Sequence, residues 1–301
     1  MAGVRSWALA LALVGACAAG AEAGAPAPYA DVHVHYNWNQ AETLGPEEAV
    51  ARLRAAGAVL AVAASSPPEL ALRLADAGRG WVLALWSPYI DPVRRHAWHR
   101  VPGVLEAARA ALASGRYAGI GEVHVVSGLG PRRDDPVLEG LLSLAARRGV
   151  PFMLHTEASD YRYFLPLCRK WGRVRFLWAH AGGILPPAQV ARLLEACPNV
   201  WAELSARDPW HYGGLVGPDG TLRPGWRRVL LRFPDRFMIG SDPVYPGYQI
   251  HHWDRPDTGW DLLARIMRFH RRWLRGLPAE VARRVRLANA LAFFGAEGRA
   301  P

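Results

Sequence analysis

The sequence has 301 residues, of which 51% are hydrophobic, and this composition excludes general disorder. The length suits two small domains or one α/β barrel, which typically takes about 250 residues. The net charge of +10 comes almost wholly from arginine, because Lys170 is the only lysine. Many arginines, such as Arg283, Arg284 and Arg286, fall at helical spacing. This spacing indicates solvated helix faces, so we expect no nucleic-acid partner.

The first residues have the pattern of an export signal. Residues 7–14 are apolar but too few to cross a bilayer, which needs about 20 residues. Two processing sites compete: a small-x-small site at residues 21–23, and a segment ending at Cys17 that resembles a bacterial lipobox. We therefore expect a signal peptide over residues 1–23 and an exported protein. The mature form is either soluble, in the periplasm or secreted, or anchored to the membrane by lipid on Cys17.

After this segment, apolar runs alternate eight times with amphipathic helical segments. The predicted strands are residues 30–35, 59–65, 81–88, 119–126, 151–155, 175–180, 200–205 and 237–242. The predicted helices are residues 46–56, 68–77, 104–113, 136–148, 164–171, 187–196, 226–233 and 260–274. A ninth helix, residues 279–294, should pack across the bottom or side of the fold. With no glycine-rich dinucleotide motif after the first strand, the pattern predicts one (β/α)8 TIM barrel over residues 24–301.

Two cysteines remain in this predicted domain, Cys168 and Cys197, and their spacing is not that of a metal site. One disulfide and two buried free thiols both fit the sequence.

The first predicted strand contains the segment Asp31-Val32-His33-Val34-His35. Side chains alternate between the two faces of a strand, so His33 and His35 point the same way. Two imidazoles on one face can reach a single metal ion.

Further potential metal ligands lie near the carboxyl ends of later strands, the end at which barrel enzymes build their active sites. They are Glu122 in the fourth strand, His155 at the end of the fifth, His180 at the end of the sixth and Asp242 at the end of the eighth. Their convergence on one barrel mouth predicts a metal centre there. Zinc is the default ion for histidine and carboxylate ligands, and manganese or iron also fits them.

These motifs resemble the amidohydrolase superfamily of metal-dependent hydrolases, and within it the amidohydrolase-related (amidohydrolase 2) family. The likeness extends from Tyr29 to Phe294 and includes a C-terminal Asn-Ala-x-x-Phe segment, residues 289–293. The resemblance implies a TIM barrel and a divalent metal. It is specific for the superfamily and weak for the substrate.

The resemblance also implies roles for the matching residues. His33, His35 and Asp242 would hold one ion, His155 and His180 would hold a second, and Glu122 would bridge them. Family members with one metal lack this carboxylate, and there the strand-six histidine is a catalytic group, a role that would fall to His180. The segment ending in Glu122 is instead similar to a branch of metal-dependent nucleases and phosphoesterases, which favours two ions without excluding one.

The expected chemistry begins with a metal-activated water, whose pKa falls from about 15.7 toward 7. Asp242 is placed to take the proton of this water and pass it to the leaving group. His124 and Glu157 lie two residues past Glu122 and His155. Each is either an auxiliary group of the site or an ordinary structural residue.

Aromatic residues and arginines follow several strands and suit a small ligand with a flat body and an anionic group. They include Trp38, Tyr161 and residues 245–253, and we expect Arg207 to bind the anionic group. The sequence thus predicts a metal-dependent hydrolase of esters, lactones, amides or phosphoesters. A metal-dependent decarboxylase or hydratase is the alternative, and an exported binding protein without turnover is a third class. The sequence does not distinguish a monomer from an oligomer.

Overall fold

The structure is a computed structural model that describes residues 27–126, 130–156, 160–244 and 255–299. Eight parallel strands form one sheet in chain order. They are β1 (Tyr29–Val34), β2 (Ala58–Ala64), β3 (Val82–Trp86), β4 (Tyr117–His124), β5 (Phe152–His155), β6 (Phe176–Trp178), β7 (Val200–Glu203) and β8 (Phe237–Met238). The main-chain N–H of Val32 donates to Ile239 O (3.1 Å) and that of Asp242 to His33 O (2.8 Å), which nearly closes the sheet into a barrel. The predicted TIM barrel is confirmed.

Helices alternate with these strands. They are α1 (Trp38–Ala41), α2 (Pro46–Ala55), α3 (Glu69–Ala77), α4 (Val104–Ala113), α5 (Pro136–Arg148), α6 (Leu165–Lys170), α7 (Pro187–Ala196), α8 (Pro224–Arg232), α9 (Leu263–Leu274), α10 (Ala279–Arg283) and α11 (Asn289–Phe294). The eight predicted strands and the first eight predicted helices are all present. The short helix α1 was not predicted. None of the helices in the described ranges is long and apolar enough to cross a membrane.

Helix α5 illustrates how local sequence sets the element boundaries. The carboxylate of Asp135 accepts hydrogen bonds from the N–H groups of Val137 (2.9 Å) and Leu138 (3.2 Å) at the helix start. Pro136 occupies the first turn, where its missing N–H costs nothing. Gly149 ends the helix in the left-handed conformation (φ 66°), which glycine adopts without strain.

The predicted helix 279–294 is divided by a π turn at Arg284–Ala288. Val285 packs in the core around the barrel, whereas Ala290 and Phe293 pack with the residues inside it. The extra residue in a π turn rotates the apolar face between these two surroundings. The side-chain amide of Asn289 donates to the carbonyls of Pro234 and Phe237, each at 2.8 Å, and fixes α11 beneath β8.

Cys168 in α6 and Cys197 at the end of α7 form a disulfide, with Cα atoms 6.0 Å apart. Of the two arrangements that fit the sequence, the structure contains the disulfide and not two free thiols. The predicted export signal, residues 1–23 with Cys17, lies outside the described residues.

Candidate metal centre at the barrel mouth

His33 and His35 bring their Nε2 atoms within 3.0 Å of each other. His33 Nδ1 donates to Glu203 Oε1 (2.9 Å), and His35 Nδ1 donates to Ala64 O (2.6 Å). Because each ring already carries a hydrogen on Nδ1, the neutral forms of both rings hold lone pairs on Nε2. Two lone pairs at this distance need a cation between them, either a proton or a metal ion.

Glu122 lies between two pairs of histidines. Its Oε2 is 3.3 Å from His35 Nε2 and 3.6 Å from His33 Nε2. Its Oε1 is 2.6 Å from His155 Nδ1 and 3.5 Å from His180 Nε2. Each carboxylate oxygen therefore faces one histidine pair, as expected of a group shared by two ions.

The backbone of β4 approaches β5 closely beside this carboxylate. Gly121 has φ 143°, and a Cβ atom there would lie 2.4 Å from Met153 Cβ. A side chain at position 121 would therefore push apart the two strands that bring Glu122 to His155.

Asp242 is the more open of the two carboxylates. Its Oδ1 is 3.4 Å from His35 Nε2, and its Oδ2 is 3.9 Å from His180 Nε2. The Asp242 side chain is 16% exposed, compared with 3% for that of Glu122. A small molecule that enters the mouth thus has access to Asp242.

The ring of His180 is held by Ser205. His180 Nδ1 donates to Ser205 Oγ (2.8 Å), and Ser205 Oγ donates to Glu203 Oε1 (3.0 Å). This chain of hydrogen bonds leaves the His180 Nε2 lone pair facing Glu122 and Asp242.

Glu203 is an important residue that sequence reasoning missed. It is fully buried and accepts hydrogen bonds from His33 Nδ1 (2.9 Å), the N–H of His180 (2.6 Å) and the N–H of Ser205 (2.7 Å). Burial raises its pKa, but the charge and hydrogen bond of His33 outweigh this effect and lower the pKa to about 2. Its position at the carboxyl end of the seventh strand was the signal that could have revealed it.

Arg207 does not have the surroundings expected of an anion-binding residue. It is 2% exposed, and its guanidinium donates to the carbonyls of His180 (2.8 Å), Ala181 (2.9 Å) and Leu185 (3.0 Å). The prediction that Arg207 binds the anionic group is not supported, because these donors stabilise the turn after β6. The sequence shows that Arg207 follows a strand. It does not show that the carbonyls of the turn after β6 accept hydrogen bonds from its guanidinium.

The remaining predicted substrate contacts lie in short helical segments that follow β1 and β5. Trp38 begins α1, and its main-chain N–H donates to Ser66 O (3.0 Å). Tyr161 begins a 3-10 turn after β5, and its N–H donates to Gln189 Oε1 (2.9 Å). Their contact with substrate stays a prediction. Glu157 and residues 245–253 lie outside the described residues.

The electrostatics of the centre favour a cation. Burial lowers the pKa of His33, but the charges of Glu122, Glu203 and Asp242 outweigh it and hold the pKa well above its ordinary value. Burial raises the pKa of Asp242, yet the neighbouring histidines lower it overall. Without a metal, a proton on His33 supplies the positive charge.

The donor set fits a divalent metal. Three overlapping sets of residues each have their ligand atoms within 4.8 Å of one another. The sets are His33, His180 and Asp242; His33, His35 and Glu122; and Glu122, His124 and His155. The Nε2 lone pairs of His33 and His35 are ready for one ion. Because His155 Nδ1 donates to Glu122, a second ion there would have to displace a proton.

The Amidohydrolase family model (Amidohydro_2) matches residues 30–296. The chain belongs to this family. Similar solved structures include a probable 2-pyrone-4,6-dicarboxylic acid hydrolase from Acinetobacter baumannii with citric acid bound. It has 14% identity and a TM-score of 0.57 over 89% of this amidohydrolase and 99% of that chain.

Two other structures share the fold of this amidohydrolase. A Burkholderia multivorans amidohydrolase with bound zinc has 17% identity and a TM-score of 0.52 over 91% of this chain and 100% of that chain. A dihydroorotase has 14% identity and a TM-score of 0.54 over 90% of this chain and 70% of that chain. The chain matches no curated protein sequence.

Proposed function

We propose that this amidohydrolase is a metal-dependent hydrolase that cleaves an ester, lactone, amide or phosphoester bond in a small anionic substrate. The observation that carries the proposal is the position of Glu122, whose two oxygens face separate histidine pairs at 2.6–3.6 Å. A carboxylate shared in this way suits a centre of two ions. The zinc in the Burkholderia multivorans structure agrees with the type of metal.

The residues would bind two metal ions, in the arrangement that the sequence motifs indicate. One ion would lie with His33, His35 and Asp242, and the other with His155 and His180, with Glu122 shared. When bound, divalent ions lower the pKa of water and polarise the carbonyl or phosphoryl oxygen of a substrate.

Asp242 performs the proton transfers in this proposal. Its partly exposed carboxylate accepts a proton from the attacking water and delivers that proton to the leaving group. Glu203 and Ser205 keep the rings of His33 and His180 in the required orientation.

The anionic character of the substrate is supported by Arg95, in the segment after β3. Its guanidinium lies 5.6 Å from the centre of the Tyr89 ring and interacts electrostatically with Glu122. The name of one neighbour, a probable 2-pyrone-4,6-dicarboxylic acid hydrolase with citric acid bound, points to the same substrate class. We expect Arg95→Gln to raise the KM for an anionic ester at least about tenfold, which corresponds to a loss of 1.4 kcal/mol of binding free energy. The KM for the matching neutral ester should stay unchanged.

Arg94→Gln is the matched control for Arg95→Gln. Arg94 is exposed and paired with Asp91 at 2.6 Å, so its replacement should change neither KM. Equal KM changes for both esters in Arg95→Gln would contradict the role of Arg95.

The proposed hydrolysis is tested by comparing untreated, chelated and reconstituted protein on esters, lactones, amides and phosphoesters. We expect chelation to abolish hydrolysis and zinc or manganese to restore it. Hydrolysis that survives complete removal of metal would contradict the proposal. Release of carbon dioxide from aromatic acids without hydrolysis would place the protein among the lyases.

We also propose that the protein is exported, on the basis of the sequence pattern at residues 1–23. The Cys168–Cys197 disulfide supports this, because such bonds persist in oxidising compartments. Mass spectrometry of the mature N-terminus tests it. A start at Gly24 indicates the soluble form, lipid on Cys17 the anchored form, and an unprocessed chain contradicts export.

A further inference from the structure

Tyr89 and His124 form a hydrogen-bonded pair beside the metal centre, on residues that the proposed function does not use. Tyr89 follows β3 and is buried, and His124 ends β4. The Tyr89 hydroxyl oxygen accepts the main-chain N–H of His124 at 2.9 Å. The same hydroxyl lies within hydrogen-bond distance of His124 Nδ1.

These two contacts determine where the imidazole of His124 carries its hydrogen. A tyrosine hydroxyl has one hydrogen to donate. Within the described parts of the chain, His124 Nδ1 is the only acceptor in contact with the Tyr89 hydroxyl. Nδ1 therefore accepts, and the hydrogen of the neutral ring is on Nε2.

The Nε2–H of His124 lies at the open side of the metal centre. Its nitrogen is 3.8 Å from Glu122 Oε2. The His124 ring stacks on the His155 ring, with centroids 4.3 Å apart. The side chain of His124 is 29% exposed, compared with 8% for that of His155, so His124 faces the mouth more than His155 does.

A nitrogen that carries a hydrogen cannot at the same time be a metal ligand. We propose that His124 uses Nε2–H to donate a hydrogen bond to the substrate oxygen that gains negative charge during hydrolysis. In the same proposal Tyr89 is a positioning residue that fixes the tautomer of His124. No proton is transferred in this step, because the donor only stabilises the charge as it develops. The proposal rests on the hydrolase function proposed above.

Removing the donor should affect turnover more than substrate binding. A single donor to a developing oxyanion contributes about 10²–10³ in kcat. We therefore expect His124→Ala to lower kcat by about that factor, with KM and bound metal close to the wild-type values. His124→Gln, whose amide nitrogen can occupy the place of Nε2, should recover part of the loss.

Tyr89→Phe keeps the ring of residue 89 and removes its hydroxyl. Because His124 is then free to change tautomer, we expect kcat to fall about tenfold, equivalent to 1.4 kcal/mol, with KM unchanged. Tyr117→Phe is the matched control, since it removes a hydroxyl at the opposite end of β4 and should leave kcat unchanged.

The decisive experiment measures kcat, KM and metal content for wild type and these variants in parallel. A loss of metal in His124→Ala that matches the loss of kcat would make His124 a ligand and overturn the proposal. An unchanged kcat in both His124→Ala and Tyr89→Phe would overturn it as well. If the wild type itself shows no metal-dependent hydrolysis, the proposed function fails, and this result is independent of the variants.

Discussion

At the scale of single residues, Glu203 determines which nitrogen of His33 faces the metal centre. Its carboxylate accepts the Nδ1–H of His33 and, through Ser205, orients His180. One buried side chain at the end of β7 thus orients two potential ligands, one on β1 and one in the turn after β6. Such supporting carboxylates raise the basicity of ligand histidines and fix their tautomer.

Replacing Glu203 with glutamine should weaken metal binding without removing the fold. The amide is uncharged and cannot accept as many hydrogen bonds as the carboxylate, so His33 and His180 lose part of their support. We expect Glu203→Gln to lower metal affinity by about 10–100-fold, measured by competition with a chromogenic chelator.

Glu195→Gln is the control, because Glu195 lies on the outer helix α7 and pairs with Arg232. It should leave metal affinity unchanged. Wild-type affinity in Glu203→Gln, with normal circular dichroism, would contradict the supporting role.

The metal-centre residues were predictable from the sequence because each lies near the carboxyl end of a predicted strand. His33, His155 and Asp242 follow directly from this rule together with the order of strands in a barrel. The role of Arg207 was not predictable, because it depends on carbonyls exposed by a turn after a different strand. The Tyr89–His124 pair joins neighbouring strands, a contact that periodicity does not report.

At the scale of elements, helix α9 places a neutral histidine behind β8. His270 Nε2 donates to Gly240 O (2.9 Å), and His270 Nδ1 accepts from Trp273 Nε1 (3.1 Å). Burial lowers the pKa of His270 from 6.5 to about 4. The neutral ring therefore stabilises the contact between α9 and the strand that leads to Asp242.

This histidine makes the stability depend on pH. Below about pH 6.5 the unfolded chain binds a proton at position 270, whereas the folded protein does so only near pH 4. The contribution of the neutral His270 ring to the free energy of unfolding is complete above pH 6.5 and is lost as the pH falls to about 4. At 1.36 kcal/mol per pH unit, it amounts to about 3 kcal/mol.

His270→Gln retains a donor and an acceptor but does not titrate. We expect the wild type to lose about 3 kcal/mol of unfolding free energy, relative to this variant, between pH 6.5 and pH 4. Urea unfolding at a series of pH values measures the difference. Parallel pH curves for the two proteins would show that His270 is not the titrating group.

The disulfide between α6 and α7 closes a loop with a sequence separation of 29 residues. By restricting the unfolded chain, a loop of this size stabilises a protein by about 2–4 kcal/mol. We expect reductant to lower the unfolding free energy by this amount in urea titrations. A Cys168→Ser/Cys197→Ser variant should be insensitive to reductant, and an equally stable reduced wild type would contradict the expectation.

The sequence predicted the alternation of elements because buried strands and amphipathic helices have different hydrophobic periods. It did not predict the π turn at Arg284–Ala288, because a continuous helical pattern can accommodate one extra residue without changing its composition. Helix α1 was missed for another reason, since four residues are too few to show a helical period.

At the scale of the whole molecule, the barrel brings to one mouth side chains that are far apart in sequence. His33 and Glu203 are separated by 170 residues, yet their side chains are hydrogen-bonded. The parallel order of the strands explains this, because their carboxyl ends all meet at the same end of the barrel. The opposite end is filled by α11, which packs beneath the interior side chains.

The proposed function depends most on Glu122, which two metal ions would share in this mouth. The most direct test is elemental analysis of metal per chain in wild type and in Glu122→Gln, purified without chelator and then reconstituted with zinc or manganese. We expect two equivalents of metal in the wild type, and the loss of at least one equivalent together with activity in Glu122→Gln. One equivalent in both proteins, or none after reconstitution, would contradict it.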